Sequence, residues 1–88
     1  MGTIRVFVIA GVRCWFWSND HGRHFHAQYD GHWQVKVDFM EDDEDAMIEV
    51  KWVRKKISRQ HRKALCQYAR QFRQQLLEQW RREVRHNG

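Results

Sequence analysis

The chain has 88 residues and a net charge of +5, and 42% of its residues are hydrophobic. This length allows one domain with a core of its own. Arg5 and Arg13 interrupt the apolar N-terminal stretch, which is therefore too short for a membrane span and does not fit a signal peptide. Cys14 and Cys66 are too few for a disulfide framework, so we expect two reduced, packed thiols in a cytoplasmic protein.

Charge divides the chain into two parts of opposite sign. Residues 1–50 hold four lysines and arginines against nine acidic residues, whereas residues 51–88 hold twelve against two. Within a single domain, 1–88, we predict a strand-rich, acidic-leaning head over 1–53 and a basic helical tail over 54–88. A basic tail indicates an anionic partner, either nucleic acid or an acidic protein. The tail has no extended apolar face free for lipid, so we expect no membrane contact.

The first half of the chain has the pattern of β-strands. Its segments rich in β-branched and aromatic residues are separated by glycines or polar turns. The predicted strands are 4–10, 12–17, 24–29, 32–39 and 47–53. The acidic run 41–45 is predicted to be a surface loop, either solvated or acting as an intramolecular counterweight to the basic tail. Its consecutive carboxylates do not match a calcium loop.

The turn before the fourth strand decides which side chains share a face. A three-residue loop over 29–31 pairs Ala27 with Trp33 and keeps the apolar residues together. The same loop gives Gly31 the left-handed position of a type I turn with a bulge. The predicted core face holds Val12, Cys14, Phe16, Phe25, Ala27, Trp33, Val35 and Val37. The opposite face holds Arg13, Trp15, Trp17, His24, His26, Gln34 and Lys36.

From Ser58 onwards the hydrophobic period is that of a helix, with Ser58 as the predicted N-cap. One apolar stripe holds Leu65, Ala69, Phe72, Leu76 and Trp80. A continuous helix over 59–86 would be about 42 Å long, more than such a domain covers. We therefore expect a break near 68–73, or a projecting end that binds a partner. Leu65 and Phe72 lie seven residues apart, which also allows a coiled-coil-like seam in a homo- or hetero-oligomer.

The histidines of the segment 18–34 raise the question of a metal site. His24 and His26 lie two apart on a predicted strand, so both point to one face about 6.6 Å apart. This spacing suits zinc or another divalent ion, with His21 and Asp20 as further ligands and Gln34 as an outer partner. The alternative, a solvent-facing strand with no bound cofactor, is the one we expect. The candidate metal ligands are His21, His24 and His26.

Trp15 and Trp17 define a second candidate site on the same face. Tryptophans are costly to leave in water, so a helix, a second subunit or stacked bases should cover them. Cover by protein requires no special partner and is the simplest of these explanations. The predicted interaction face consists of Arg13, Trp15, Trp17, His24, His26 and Lys36.

The run RKKISRQHRK over 54–63 is the third candidate site. Its six lysines and arginines surround a helix start, where each cation opposes the helix dipole at a cost of about 0.3–1 kcal/mol. Because helix N-termini favour anions, this arrangement indicates phosphate-binding donors. The alternative is a solvated face. The predicted nucleic-acid or anion-binding residues are Arg54, Lys55, Lys56, Arg59, Arg62, Lys63, Arg70 and Arg73.

Several short motifs follow one another in a characteristic order. They are Phe16-Trp17-Ser18, Asp20-His21, His24-Phe25-His26-Ala27 and Tyr29, then Leu76 or Leu77 and Trp80. Over nearly the whole chain this order resembles the bacterial family known as domain of unknown function 4160. The segment 21–24 departs from the family pattern, which has one residue more and usually a proline. The resemblance implies a protein without established activity, whose gene lies beside that of a small DNA-binding partner in a proposed toxin–antitoxin pair.

These features predict an α+β fold, an antiparallel sheet of four to five strands with a long or broken C-terminal helix packed on one face. No nucleophile is visibly paired with a base, so we expect a binding protein rather than an enzyme. The leading hypothesis is a toxin–antitoxin-like or accessory protein that binds nucleic acid or an acidic protein through its basic helix. The alternatives are a metal-dependent hydrolase or ribonuclease-like toxin that uses the histidines, and an inhibitor or accessory protein acting by protein contact alone.

Overall fold

The computed structural model describes residues 2–17 and 22–84. They form a five-stranded antiparallel sheet, with the strands in sequence order, and three helices. The strands are β1 (Gly2–Thr3), β2 (Val12–Phe16), β3 (His24–Tyr29), β4 (Trp33–Asp38) and β5 (Ile48–Val53). The helices are α1 (Glu44–Met47), α2 (Arg59–Gln71) and α3 (Arg73–Glu83). The predicted α+β class is confirmed, with a broken C-terminal helix.

The core lies between one face of the sheet and the helices α2 and α3. The predicted core face is confirmed, since Val12 is half-buried and its other seven residues are buried. Leu65, Ala69 and Leu76 are fully buried in the same cluster. Of the residues of the predicted oligomer seam, these three are enclosed in the core of their own chain, and Phe72 is half-buried. Contact with a partner through other helix residues stays a prediction.

The β3–β4 hairpin has a three-residue loop that lies one residue later than predicted. Tyr29, rather than Ala27, pairs with Trp33, so the loop is 30–32. The Tyr29 carbonyl accepts a hydrogen bond from the amide of the last loop residue (3.0 Å), and Gly31 is left-handed with φ 75°. The predicted register is thus wrong by two residues. Because side chains alternate with a period of two, every residue stays on its predicted face.

The predicted first strand, 4–10, is wrong. Only Gly2–Thr3 pairs with β2, and the following residues are irregular apart from one bridge to Val12. The buried residues of this segment are Ile4, Phe7 and Ile9. Their spacing of three and then two does not fit a strand that alternates between two environments. The segment therefore closes one end of the core instead of extending the sheet.

Phe7 explains why this segment leaves the sheet. Its ring lies 5.7 Å from that of Phe25 on β3, 5.3 Å from that of Tyr68 on α2 and 6.0 Å from that of Phe72. Burying an aromatic side chain between sheet and helix stabilises the fold by about 1.5–3 kcal/mol. If the segment continued as an edge strand, Phe7 would not gain this stabilisation. The neighbouring Val8 points to solvent and is 83% exposed.

The acidic run 41–45, predicted to be a loop, contains the start of α1. The carboxylate of Asp43 caps this helix by accepting a hydrogen bond from the amide of Ala46 (3.3 Å). Acidic residues in the first turn of a helix are stabilised by its dipole. The helix ends at Met47, which is buried in the core, so the acidic run is held beside the sheet.

The helical tail begins and breaks where the sequence predicts. Ser58 is the N-cap of α2, and its hydroxyl accepts a hydrogen bond from the amide of His61 (3.0 Å). The helix ends at Gln71, and its C-cap is Phe72, whose φ of −105° and ψ of 24° depart from helical values. This turn packs Phe72 against the core and lets α3 bury Leu76 and Trp80. No helix in the described part of the chain is long and apolar enough to cross a membrane.

We expect Phe7→Ala to lower the free energy of unfolding by about 3–5 kcal/mol, because it leaves a cavity between the sheet and α2. Urea denaturation measures the change. Val8→Ala is the matched control on the adjacent exposed side chain and should change it by less than about 0.5 kcal/mol. Equal effects of the two substitutions would contradict the placement of Phe7 in the core.

Candidate functional site

We call the sheet face that is turned away from α2 and α3 the open face. The strand register places its side chains in rows, with Trp15 opposite His26, His26 opposite Lys36 and Lys36 opposite Glu49. The structure thus brings the residues of the predicted interaction face onto one surface. Since α2 and α3 pack on the other face, cover of the tryptophans by these helices is wrong. The residues of the open face include Thr3, Arg13, Trp15, Trp17, His24, His26, Gln28, Gln34, Lys36, Asp38, Glu49 and Trp52.

Aromatic rings fill the centre of the open face. The His26 ring stacks on Trp15 with centroids 5.6 Å apart and planes at 22°, and it meets the edge of Trp17 at 5.9 Å. His24 contacts it from a third side at 5.3 Å. This enclosure leaves His26 only 7% exposed, whereas Trp17 remains 40% exposed. The exposed aromatic surface of the open face is therefore provided by Trp17 and by Trp52, which is 37% exposed.

The predicted metal ligands lie only partly within the described chain. His24 and His26 share a face, as predicted, but His21 and Asp20 lie outside the described residues. Among residues 2–17 and 22–84, no group of three or more histidine, cysteine or acidic side chains is placed to hold a metal ion. Gln34, the predicted outer partner, lies opposite Gln28, and its side-chain oxygen accepts the indole N–H of Trp52 (3.1 Å).

Cys14 and Cys66 are buried free thiols, as predicted. Burial raises the pKa of Cys14 to about 12. Burial, and then the Glu44 carboxylate, raise the pKa of Cys66 against the smaller opposing effects of Arg70 and Arg62. Both thiols stay protonated at neutral pH, and neither is suited to act as a nucleophile.

The cations of the open face are paired with carboxylates. Arg13 Nη2 lies 2.9 Å from Asp30 Oδ1, and Lys36 Nζ lies 3.5 Å from Glu49 Oε2. Lys36 and then Lys51 lower the pKa of Glu49, so this carboxylate is ionised at neutral pH. The open face consequently carries little net charge and differs in this respect from the basic tail.

The acidic run neutralises one arginine at the start of α2. Arg62 Nε lies 2.9 Å from Glu44 Oε1, and Arg62 Nη2 lies 3.1 Å from Asp45 Oδ1. The proposed role of 41–45 as an intramolecular counterweight is therefore confirmed. A guanidinium held by two carboxylates presents fewer free donors to an external anion.

Two further arginines are held near the helix break. Arg73 donates to the carbonyl oxygens of Phe39 and Glu41, both at 2.7 Å, and to the Asp42 carboxylate at 2.9 Å. Arg70 donates to the carbonyl oxygen of Asp42. These contacts fasten the loop after β4 to the helices. Three of the eight predicted anion-binding residues, including Arg62, therefore have a role inside the fold.

The other five predicted anion-binding residues have no side-chain ion pair or hydrogen bond within the described chain. All five are exposed and surround the start of α2. We call them the basic segment, which consists of Arg54, Lys55, Lys56, Arg59 and Lys63. The amides of Arg54 and Lys55 donate to the carbonyl of His32 at 2.7 and 3.1 Å, so the segment begins firmly against the β3–β4 hairpin.

A row of hydrogen-bonded polar residues also crosses the open face, and the sequence did not indicate it. Arg13, Gln28, Gln34 and Trp52 are successive partners on β2, β3, β4 and β5. Arg13 (2.9 Å) and Gln28 (3.1 Å) both donate to Asp30 Oδ1, and Trp52 donates to Gln34 (3.1 Å). Only the strand register brings Gln28 beside Gln34. We call these four residues the polar row.

Fold and surface together define a small α+β protein with an open aromatic sheet face and a basic helix start. The chain belongs to the family described as Domain of unknown function (DUF4160), whose model matches residues 11–81. This match confirms the resemblance carried by the motifs. Comparison with curated proteins and with solved structures gives no significant match. Because the family has no assigned activity, function has to be argued from the geometry of the site.

We expect Arg73→Ala to lower the free energy of unfolding by about 1–3 kcal/mol, because the carbonyl of buried Phe39 loses its charged donor. Chemical denaturation measures the change. Arg81→Ala removes the same charge from an exposed position on α3 and should change the free energy by less than about 0.5 kcal/mol. A similar small effect at both positions would show that Arg73 is not structural and is available to a ligand.

Proposed function

We propose that this protein is a non-enzymatic binding protein whose basic segment holds the phosphate backbone of nucleic acid. The observation that carries the proposal is that some cations of the helical tail are paired with carboxylates and others are not. The chain's own acidic residues pair with Arg62 and Arg73, whereas the basic segment is exposed and unpaired. Like charges gathered at a helix start repel one another and oppose the dipole, so an anionic partner accounts for them better than stability does.

The start of α2 supports this proposal with a second source of attraction. First-turn amides of a helix lack intrahelical acceptors, and Ser58 satisfies only that of His61. Lys56, Ser58 and Arg59 line a shallow depression at this helix end. A phosphate group placed there would receive amide donors and neighbouring cations together.

The family resemblance makes the biological setting of the proposal more specific. We propose that the protein acts in the bacterial cytoplasm as one member of a toxin–antitoxin-like or accessory pair. Nucleic acid is the ligand we favour for the basic segment, because backbone phosphates recur at regular intervals and match a run of unpaired cations. An acidic protein partner is the alternative occupant of the same surface.

We expect binding to a labelled DNA duplex to weaken steeply with salt. If all five cations of the basic segment contact phosphates, the slope of log K against log salt is about −4.5. Lys55→Gln/Lys56→Gln should reduce its magnitude by about 1.8, because two contacts are lost. Fluorescence anisotropy over a series of salt concentrations gives both slopes.

The matched control is Arg81→Gln/Arg82→Gln, which removes two charges from exposed positions at the end of α3. It should leave the slope near that of the unmodified protein. If both double variants reduce the slope equally, net charge rather than the basic segment is responsible. A slope near zero in the unmodified protein would overturn the nucleic-acid proposal and favour contact with protein alone.

The second candidate function is a metal-dependent hydrolase or ribonuclease-like toxin, and the proximity of His24 and His26 is the observation that favours it. The histidine rings lie 5.3 Å apart on the open face. Against it, His26 is only 7% exposed, so its ring nitrogens offer little access to a metal ion. The third ligand, His21, would have to come from outside the described residues.

We expect elemental analysis of protein purified without a histidine tag to find well below one equivalent of zinc, because His26 is enclosed by aromatic rings. His24→Ala should then leave the metal content unchanged. About one equivalent of zinc that is lost in His24→Ala, but kept in His61→Ala, would establish the second candidate instead.

A further inference from the structure

We infer that the open face contains a pocket for an unpaired base of a single-stranded nucleic acid. A depression of about 260 Å³ on this face is lined by Arg13, Trp15, Trp17, Gln28 and Gln34. The inference rests on the proposed function, which supplies the phosphate contacts. It adds a second part of the ligand, the base, and a second surface that recognises it.

Trp15 and Trp17 form two walls of this pocket. Their rings are 6.1 Å apart with planes at 78°, so they enclose a corner. His26 stacks on Trp15 and holds that indole in place, while Trp17 keeps its exposed surface. A planar base can stack on one indole and meet the other, and such stacking is how single-strand binders hold bases of any sequence.

The polar row fixes the orientation of both glutamine amides in the pocket. Asp30 Oδ1 is an acceptor, so Gln28 must present its Nε2 to it and keeps its Oε1 for a ligand. The Trp52 indole is a donor, so Gln34 must present its Oε1 and keeps its Nε2 for a ligand. These partners settle the amide orientation chemically.

An acceptor and a donor therefore stand side by side, because Gln28 and Gln34 are directly opposite on neighbouring strands. The edges of nucleobases carry donors and acceptors in the same adjacent arrangement. In a duplex, pairing occupies the Watson–Crick edge and stacking covers the ring faces. The pocket consequently requires a base that is both unpaired and unstacked from its neighbours.

Charge favours nucleic acid over other planar ligands. The pocket itself is nearly neutral, since Asp30 pairs with Arg13 at its rim. The phosphates need a separate cationic surface, and the basic segment begins at Arg54, two residues after Trp52 of the polar row. A ligand with flat polar rings on an anionic backbone matches this combination of surfaces.

The test compares a labelled single-stranded oligonucleotide with a duplex of the same length by fluorescence anisotropy. Trp17→Ala should weaken single-strand binding about tenfold, because one base loses its stacking partner, and should leave duplex binding unchanged. Gln34→Glu keeps the acceptor for Trp52, removes the donor offered to the base and adds one negative charge. Its control, Gln74→Glu, makes the same charge change at an exposed position on α3. Gln34→Glu should weaken single-strand binding several-fold more than this control does.

The outcomes separate the pocket from the basic segment. If Lys55→Gln/Lys56→Gln weakens binding while Trp17→Ala and Gln34→Glu do not, the pocket is overturned and the proposed function stands. If only the pocket variants weaken binding, the pocket stands and phosphate contact by the basic segment is overturned. Equal affinity of the unmodified protein for single strand and duplex would also overturn the pocket. Circular dichroism of each variant establishes that a loss does not arise from unfolding.

Discussion

The two helices α2 and α3 can cover only one face of the five-stranded sheet, and the rest of the structure depends on this constraint. Strands spaced by about 4.8 Å give a sheet about 20 Å wide. Two helices of about 10 Å diameter are together just wide enough to cover one of its faces. The alternating apolar residues therefore all lie on the helix side. On the open face, aromatic and polar side chains contact one another instead, although the indole N–H of Trp15 is buried without a hydrogen-bond acceptor among the described residues. His26 stacks on Trp15, and Trp52 donates to Gln34, while the rings of Trp17 and Trp52 keep the exposed aromatic surface.

The same arrangement determines which cations remain available. α1 and the loop before it hold the acidic run beside the helical tail, where it reaches Arg62 near the start of α2 and Arg73 at the start of α3. The basic segment instead begins beside the β3–β4 hairpin, through the contacts of Arg54 and Lys55 with His32. The acidic run therefore neutralises only some cations of the tail. The protein has a modest net charge but also a strongly basic surface at the basic segment. Net charge alone describes solubility, whereas this uneven pairing is the basis on which an anion site is proposed.

Local periodicity predicted the elements whose environment repeats regularly. Both sheet faces could be assigned because a hairpin error of two residues preserves the alternation. The irregular conformation of the segment 4–10 could not be predicted in this way. Phe7 packs against Tyr68, far along the chain, and no local pattern encodes that contact. The polar row was missed for a similar reason. Its amides are oriented by partners on other strands, and a bulge beside Gln34 shifts the register that brings them together. For the candidate site, the sequence therefore indicates residue types and faces, while hydrogen-bonding roles require the tertiary structure.

The open face and the basic segment meet at the end of β5, and this junction connects the two proposed contacts. The polar row spans three interstrand spacings from Arg13 to Trp52, about 14 Å, which lies within the few-nucleotide length of a single-strand site. Arg54 follows two residues later and is held against the hairpin. A strand with one base at Trp17 can therefore follow the row towards the cations. Under the two proposals, a nearly neutral aromatic face and a strongly basic helix start serve one ligand, because stacking requires no charge and phosphate binding requires no aromatic ring.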